Sequence, residues 1–272
     1  MTGAFDFSGS NVFVAGGTSG INLGVAQAFS AAGARLTVIS RSADKVAAAV
    51  AQLKSQGGQA LGFAADVRDY AAVEQALQES SAQFGNIDVL ISGAAGNFPA
   101  PALGLSANAF KTVIEIDLLG TFHVLRAAYA YLRKPGACII NISAPQAYIP
   151  MELQMHVCAA KAGVDMITRV GALEWGPAGV RVNSVVPGPI GDTEGMRRLA
   201  PTPESMQAVI ESVPLRRFGT RQDIAGCCLW LASPMASYVS GAVIPVDGGW
   251  GLGGTSISGA SMKKVFAAGV KA

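Results

Sequence analysis

Few residues in this chain of 272 combine a chemically useful type with a telling position. The first group is Ala15-Gly16-Gly17-Thr18-Ser19-Gly20-Ile21-Asn22, which follows an apolar run and opens a segment of helical period containing Val25, Ala26 and Phe29. Glycines there permit a tight turn and a close backbone approach, and a helix N-terminus supplies N–H groups and positive potential for a pyrophosphate. The reading is a dinucleotide-binding turn with Gly16, Thr18, Ser19, Gly20 and Ile21 at the cofactor; an ordinary flexible turn is the plainer alternative. At the end of the next strand-like run, where an acid would take the ribose 2′-hydroxyl of NAD, stand Ser40, Arg41 and Ser42. A carboxylate would repel a 2′-phosphate, whereas a guanidinium and hydroxyls would pair with it, so Ser40 and Arg41 point to NADPH (NADP).

A further feature is a carboxylate on an apolar face. On a helical wheel Lys111, Glu115 and Arg126 share one stripe, whereas Asp117 falls with Ile114, Thr121, Val124 and Ala128 on the side expected to meet the core. A charge there is costly unless a partner or a solvated site compensates it; satisfaction by backbone groups is the alternative. Other chemistries are poorly supplied. Cys138, Cys158, Cys227 and Cys228 lack C-x-x-C or Cys/His ligand spacing, and His123 and His156 have no patterned partner. No metal site is expected, and the cysteines read as reduced core residues.

With 20 Lys+Arg against 18 Asp+Glu, a net charge of +2 and no basic run, the chain has no electrostatic footprint for nucleic acid. Charged residues make up 14%, against roughly 25% in ordinary soluble domains. No uninterrupted apolar stretch approaches the roughly 18 residues of a membrane span. The start, MTGAFDFSGS, lacks a basic region leading into an apolar one, and the end lacks an SKL-type address, so a cytoplasmic location is expected.

The elements that must position these residues follow from alternation. Apolar runs at 11–15, 35–40, 60–65, 87–91, 137–142, 180–186 and 242–246 alternate with stretches of helical period. That pattern predicts an α/β, doubly wound Rossmann fold: one domain over 1–272, with a seven-stranded parallel sheet flanked by helices. Ser42 caps a helix with Val46, Val50 and Leu53 inward; Asp69, Val73, Leu77 and Phe84 mark the next crossover; Thr220 and Asp223 form a capping box for a helix to Leu231. Residues 191–214 are polar and poor in strand signals, and read as a lid or substrate loop. Residues 248–272 form a C-terminal tail whose Gly/Ser-rich first part, to Ala260, reads as loosely held.

The turn also resembles the T-G-x-x-x-G-x-G motif of the short-chain dehydrogenase/reductase family, with Ala15 for Thr and Asn22 for the last Gly. Asn tolerates unusual backbone angles, but its side chain there is expected to crowd the phosphates. The resemblance covers nearly the entire chain and places Asp66 and Val67 at the adenine, although Asp66 reads equally well as a helix-capping turn residue. The family's usual active site is Asn, Ser, Tyr and Lys. Lys161 matches the lysine; the tyrosine position is Val157, the serine position Ala144, and the asparagine position Asp117. Reducing a ketone needs an acid for the nascent alkoxide, and Val and Ala carry no transferable proton. Tyr148 lies near in sequence but at the wrong offset, and Ser143 reads as a strand-end residue.

Ala94-Ala95-Gly96-Asn97-Phe98, Asp117, His156 before a Tyr-less Lys161, Pro187-Gly188-Pro189-Ile190 and Thr193-Glu194-Gly195-Met196-Arg197-Arg198-Leu199 are similar to one branch, the 2,4-dienoyl-CoA reductases of the peroxisomal type. That branch reduces a conjugated diene in fatty acid metabolism. The resemblance implies that Asp117 and Lys161 hold a protonating water, with Lys161 also on the nicotinamide ribose. It places Ala94, Pro187, Gly188, Ile190 and Thr193 at the cofactor, Asn97 and Phe98 in the acyl pocket, and Arg197 and Arg198 at CoA phosphates. It also implies a homotetramer formed through the lysine helix, where Ala162, Gly163, Val164, Met166 and Ile167 fit an interface or a core equally. Ser92-Gly93 departs from the branch's usual Asn-containing turn. Two other readings stay open: a ketone or alcohol oxidoreductase using Tyr148 as acid, and a catalytically silent nucleotide-binding protein.

Overall fold

A computed structural model describes residues 5–255. Its elements run β1 (Asn11–Ala15), α1 (Gly20–Ala31), β2 (Arg35–Ser40), α2 (Ala43–Ser55), β3 (Gln59–Ala64), α3 (Tyr70–Phe84), β4 (Val89–Ser92), α4 (Ala107–Val113), α5 (Gly120–Ala128), β5 (Cys138–Ile142), α6 (Met155–Trp175), β6 (Arg181–Pro187), α7 (Glu194–Leu199), α8 (Pro203–Ser212), α9 (Arg221–Ala232) and β7 (Val243–Val246). All seven strands are parallel, in the order β3-β2-β1-β4-β5-β6-β7. β1, β4 and β5 are buried along their whole lengths because helices cover both faces, which is why they read as continuous apolar runs rather than alternating ones.

One core lies under α1, α2 and α9, around Val25, Phe29, Leu53 and Ile224; the other lies under α3, α5 and α6, around Leu77, Val124, Leu125 and Val182. Local chemistry starts the helices where expected. The Ser42 hydroxyl accepts from Lys45 N, the Asp69 carboxylate from Ala72 N, and Thr220 and Asp223 close a reciprocal capping box. The fourth strand begins two residues later than the apolar run, since Ile87 pairs only in an isolated bridge with Leu132.

Two expectations change. The polar segment 191–214 is largely helical: Thr193 caps α7, and Thr202 with Ser205 forms a capping box for α8, which has Pro203 in its first turn. The start of the Gly/Ser-rich segment is also pinned, because Asp247 accepts from Gly249 N and Gly251 N, and Trp250 Nε1 donates to Ser212 Oγ at 3.1 Å. The remainder of that tail, 256–272, lies outside the described residues.

The register aligns the carboxyl ends of the central strands. Ala15 faces Ser92, Ser92 faces Asn141, and Ile142 faces Val185, so the segments after β1, β4, β5 and β6 emerge along one edge. Strand order reverses between β1 and β4, where an open α/β sheet leaves a crevice for a ligand.

Candidate active site

The crevice between β1 and β4 is a cavity of about 230 Å³ lined by Gly16, Thr18, Ser19, Ser40, Arg41, Asp66, Val67 and Ala94, all expected cofactor residues, together with Asn22, Lys45 and Gly93. Gly16 has φ +77, and a Cβ there would lie 2.8 Å from the Ala94 backbone. Only glycine lets the first turn close against the β4 turn. Ser19, at the N-cap of α1, makes no side-chain capping bond, and the helix has no acid in its first turn. Its first amides are left to a ligand, whereas the N-termini of α2, α3 and α9 are closed by their own side chains. These groups fit a dinucleotide.

Asn22 does not crowd this space in the way the sequence suggests. Its side chain turns inward, and Nδ2 donates to Gly93 O at 2.7 Å and Gly16 O at 3.3 Å. The two departures from the family motif are therefore coupled: a Cβ on residue 93 would meet the Asn22 amide at 2.4 Å. Asp66 is held by Arg68 in an ion pair of 2.6 Å, which keeps its carboxyl below the usual carboxylate range. Lys45 was missed in the sequence. The available signal was a lysine in the first turn of a helix, where the macrodipole disfavours a cation unless an anion is to be met. Val67 O takes the imidazole of His123 at 2.9 Å, which gives that histidine a structural role.

Farther along the edge, α4 passes into a π-helical segment, Ile114–Leu119, before α5. The wider turn rotates Asp117 inward, and Thr121 Oγ1 donates to its carbonyl at 2.6 Å. Asp117 is 1% exposed. Its Oδ1 accepts from Gly96 N at 2.7 Å, in the loop after β4, and its Oδ2 lies 3.5 Å from Lys161 Nζ. Lys161, one and a half turns into α6, also donates to Ile142 O at 3.1 Å, at the end of β5. Burial pushes the Asp117 carboxyl above its ordinary value, while Lys161 and the Gly96 amide act against that shift. Three segments, the loop after β4, the end of β5 and α6, thus converge on one buried carboxylate–ammonium pair.

Around the pair, proton donors are scarce. Val157 is buried and packs with Val113 and Ala160, and Ala144 follows β5. Tyr148 is half exposed, with its hydroxyl on the side of Gly251 and Asp247; burial and the charges of Asp247 and Asp165 push its phenol up. Phe98 is packed over His156, ring centroids 4.6 Å apart, while Asn97 is exposed.

Other expected residues have structural partners. Gly188 abuts Asp247, Ile190 is buried and bridges to Gly219, and the Thr193 hydroxyl donates to Ile190 O while accepting from Met196 N. Gly20 and Ile21 open α1. Pro187 ends β6, Arg197 is exposed in α7, and the Arg198 side chain lies outside what is described. Among the described residues there is no cluster of His, Cys, Asp and Glu able to hold a metal. Burial pushes the Cys138 and Cys227 thiols up to about 11, which suits inert core residues. No helix among the described residues is long and apolar enough to cross a membrane.

Residues 15–251 match a family model described as enoyl-(acyl carrier protein) reductase. The chain is 47% identical to the peroxisomal 2,4-dienoyl-CoA reductase [(3E)-enoyl-CoA-producing] of Rattus norvegicus, over 87% of this chain and 82% of the relative. It is 37% identical to a probable 2,4-dienoyl-CoA reductase [(2E)-enoyl-CoA-producing] of Bacillus subtilis, over 88% and 95%. Among solved structures, a citronellol catabolism dehydrogenase of Pseudomonas aeruginosa superposes with a TM-score of 0.79 at 34% identity, covering 90% of this chain and 96% of the other.

Proposed function

The chain belongs to the short-chain dehydrogenase/reductase family, oxidoreductases that work with a nicotinamide cofactor, and from that premise we propose that it is an NADPH-dependent reductase of a 2,4-dienoyl-CoA or related conjugated enoyl thioester. The observation that carries the proposal is the buried Asp117–Lys161 pair, set where Val157 and Ala144 supply no acid. When bound, the nicotinamide supplies a hydride to the distal alkene carbon. The thioester then carries the resulting charge as a dienolate, which differs from the alkoxide of ketone reduction in needing a proton on carbon rather than on oxygen.

Asp117 and Lys161 hold the water that gives this proton, and Lys161 also reaches the nicotinamide ribose. Arg41, Ser40 and Lys45 meet the 2′-phosphate, the α1 amides with Gly16, Thr18, Ser19, Gly20 and Ile21 meet the pyrophosphate, and Asp66 and Val67 bound the adenine. Ala94, Pro187, Gly188, Ile190 and Thr193 surround the nicotinamide half, Asn97 and Phe98 line the acyl pocket, and Arg197 and Arg198 serve the CoA phosphates. Protonation at the carbon next to the thioester leaves a 3-enoyl product, and protonation at the γ carbon a 2-enoyl product. Relatives whose names specify the (3E) product are 40–47% identical to this chain, which supports the first outcome. Leu119, Phe122, Met166 and Leu173 leave an apolar face exposed on α5, α6 and the π segment, and we assign it to a homotetramer.

The test is cofactor oxidation, followed by loss of reduced-nicotinamide absorbance, with dienoyl-CoA and simple ketones side by side and NADPH against NADH. Turnover is expected with dienoyl-CoA and NADPH, and Tyr148→Phe should leave it within about twofold, since an acid–base role would be worth at least 10²-fold. Ketone turnover that collapses in Tyr148→Phe would establish the alternative acid. NADPH binding without oxidation by any dienoyl thioester would mark a silent nucleotide-binding protein.

A further inference from the structure

His156 lies in the first turn of α6 and is 0% exposed. Neither ring nitrogen has a hydrogen-bond partner among the described residues. The chain's other histidine, His123, has a backbone carbonyl on Nδ1. Burying a polar group without a partner is costly, so an imidazole at this position is poor packing material unless it has a polar task. Two observations locate that task. The Asp117 Oδ2 atom is likewise buried without a hydrogen bond, and the loop after β4 joins the two groups, since Gly96 N donates to Asp117 Oδ1 and Phe98, two residues on, packs against the His156 ring. On the other side, Phe98 packs against the imidazole at 4.6 Å and is itself 36% exposed, so the acyl-pocket ring separates the histidine from solvent and fixes its tilt.

We propose that His156 is a positioning residue for protonation: its imidazole and the Asp117 carboxylate share one water, and that pairing decides which carbon of the dienolate receives the proton. The proposal rests on the dienoyl thioester reading above. A buried water needs two to four polar partners; we take them to be Asp117 Oδ2, a His156 nitrogen and Lys161 Nζ, which lies 3.5 Å from Oδ2. The water accepts from an imidazole N–H and donates one proton to Oδ2, which leaves its second O–H aimed by the other two bonds. When the carbanionic carbon attacks that proton, the O–H bond breaks and its electron pair stays on oxygen. The hydroxide takes a proton from the Lys161 ammonium, and solvent restores it. The sum is hydride from NADPH and one solvent proton added across the diene.

The experiment uses the intact enzyme with NADPH and a short dienoyl-CoA. His156→Phe keeps the stacking on Phe98 and removes the hydrogen bond. It should lower kcat roughly tenfold, leave both KM values within about twofold, and move the product mixture from 3-enoyl toward 2-enoyl thioester. His156→Gln, which restores an N–H, should recover much of both. An unchanged kcat and product ratio in His156→Phe overturns the proposal. Independently of turnover and of whether that variant folds, nitrogen NMR of the two histidine rings in the wild type and in Asp117→Asn reads the pairing: the His156 ring shift should move and that of His123 should not. An unmoved His156 signal also overturns it. A wild type that turns over no dienoyl thioester sinks the functional reading instead, and leaves the NMR test of the pairing standing.

Discussion

Asp117→Asn should cost stability and turnover together, and the stability cost should shrink when Lys161 is neutralised too. The Asn oxygen can keep the 2.7 Å bond from Gly96 N, but its NH₂ then faces an ammonium 3.5 Å away, both within a pair whose side chains are 1% and 7% exposed. Breaking a buried pair from one side typically costs about 3–5 kcal/mol. The retained Gly96 bond and the 3.1 Å bond from Lys161 to Ile142 O place this case at the low end, about 3 kcal/mol. At about 2–4 °C per kcal/mol for a domain near this size, Tm should fall by about 6–12 °C. Asp117→Asn/Lys161→Met leaves no unpaired buried charge, and the double-mutant cycle should return a coupling of about 1–3 kcal/mol. Melting is followed without cofactor, so that linked binding does not mask the term. In parallel, kcat of Asp117→Asn with dienoyl-CoA should drop by about 10²-fold. Purely additive single effects, or a melting point within about 1 °C of wild type, would refute the claim that burial couples these groups.

Arg41→Ala with Lys45→Ala should weaken NADPH binding by about 10- to 100-fold while leaving NADH nearly unchanged, read by nucleotide fluorescence; equal losses for both cofactors would remove the 2′-phosphate assignment. Gly93→Ala drives a Cβ to 2.4 Å from the Asn22 amide, at a cost of about 1–3 kcal/mol. Adding Asn22→Gly should recover stability and cofactor affinity, and failure to do so in a denaturation series would show the two positions to be independent. Asp165 is buried in α6, with one carboxylate oxygen lacking a partner; desolvation raises its carboxyl above the ordinary value, against opposing help from Ser143, Ser184, Arg169 and Lys161. Its folded form holds the proton more tightly than the unfolded chain, so its contribution is fully present below the unfolded pKa and lost as pH rises through the folded one. Asp165→Asn should therefore gain on the wild type as pH rises through that window, and parallel urea-stability curves across pH would count against it.

How much of this was legible depends on the range of the interactions involved. The strands and the caps at Ser42, Thr220 and Asp223 are set by neighbours a few residues away, and they stand within about two residues of where the sequence puts them. The same local logic was available for 191–214, where Thr202, Pro203 and Ser205 spell a helix start that polarity obscured. The latch from Asn22 to Gly93 was not legible, because it joins turns 71 residues apart and only the fold brings them together. Nor was the π segment, since its extra residue per turn leaves no mark in an apolar pattern that still reads as helix on either side.

That π segment shapes a site in which Val157 and Ala144 stand at the tyrosine and serine positions of the family. The widened turn brings in the Asp117 carboxylate, and the Gly96 amide and Lys161 compensate it. The fold then bears the cost of a buried pair and an unpaired imidazole within one cleft, a combination that packing alone does not favour. An alkoxide on oxygen would need a resident acid, and the apolar side chain at Val157 supplies none. In the proposed reaction the dienolate has its reactive carbon away from the thioester oxygen and takes its proton from a directed water rather than from the tyrosine position. On that proposal the Asp117–Lys161 pair and His156 serve this one requirement. The same arrangement makes it testable, because moving the water's anchor at His156 should change where the double bond ends up before it changes whether the hydride arrives.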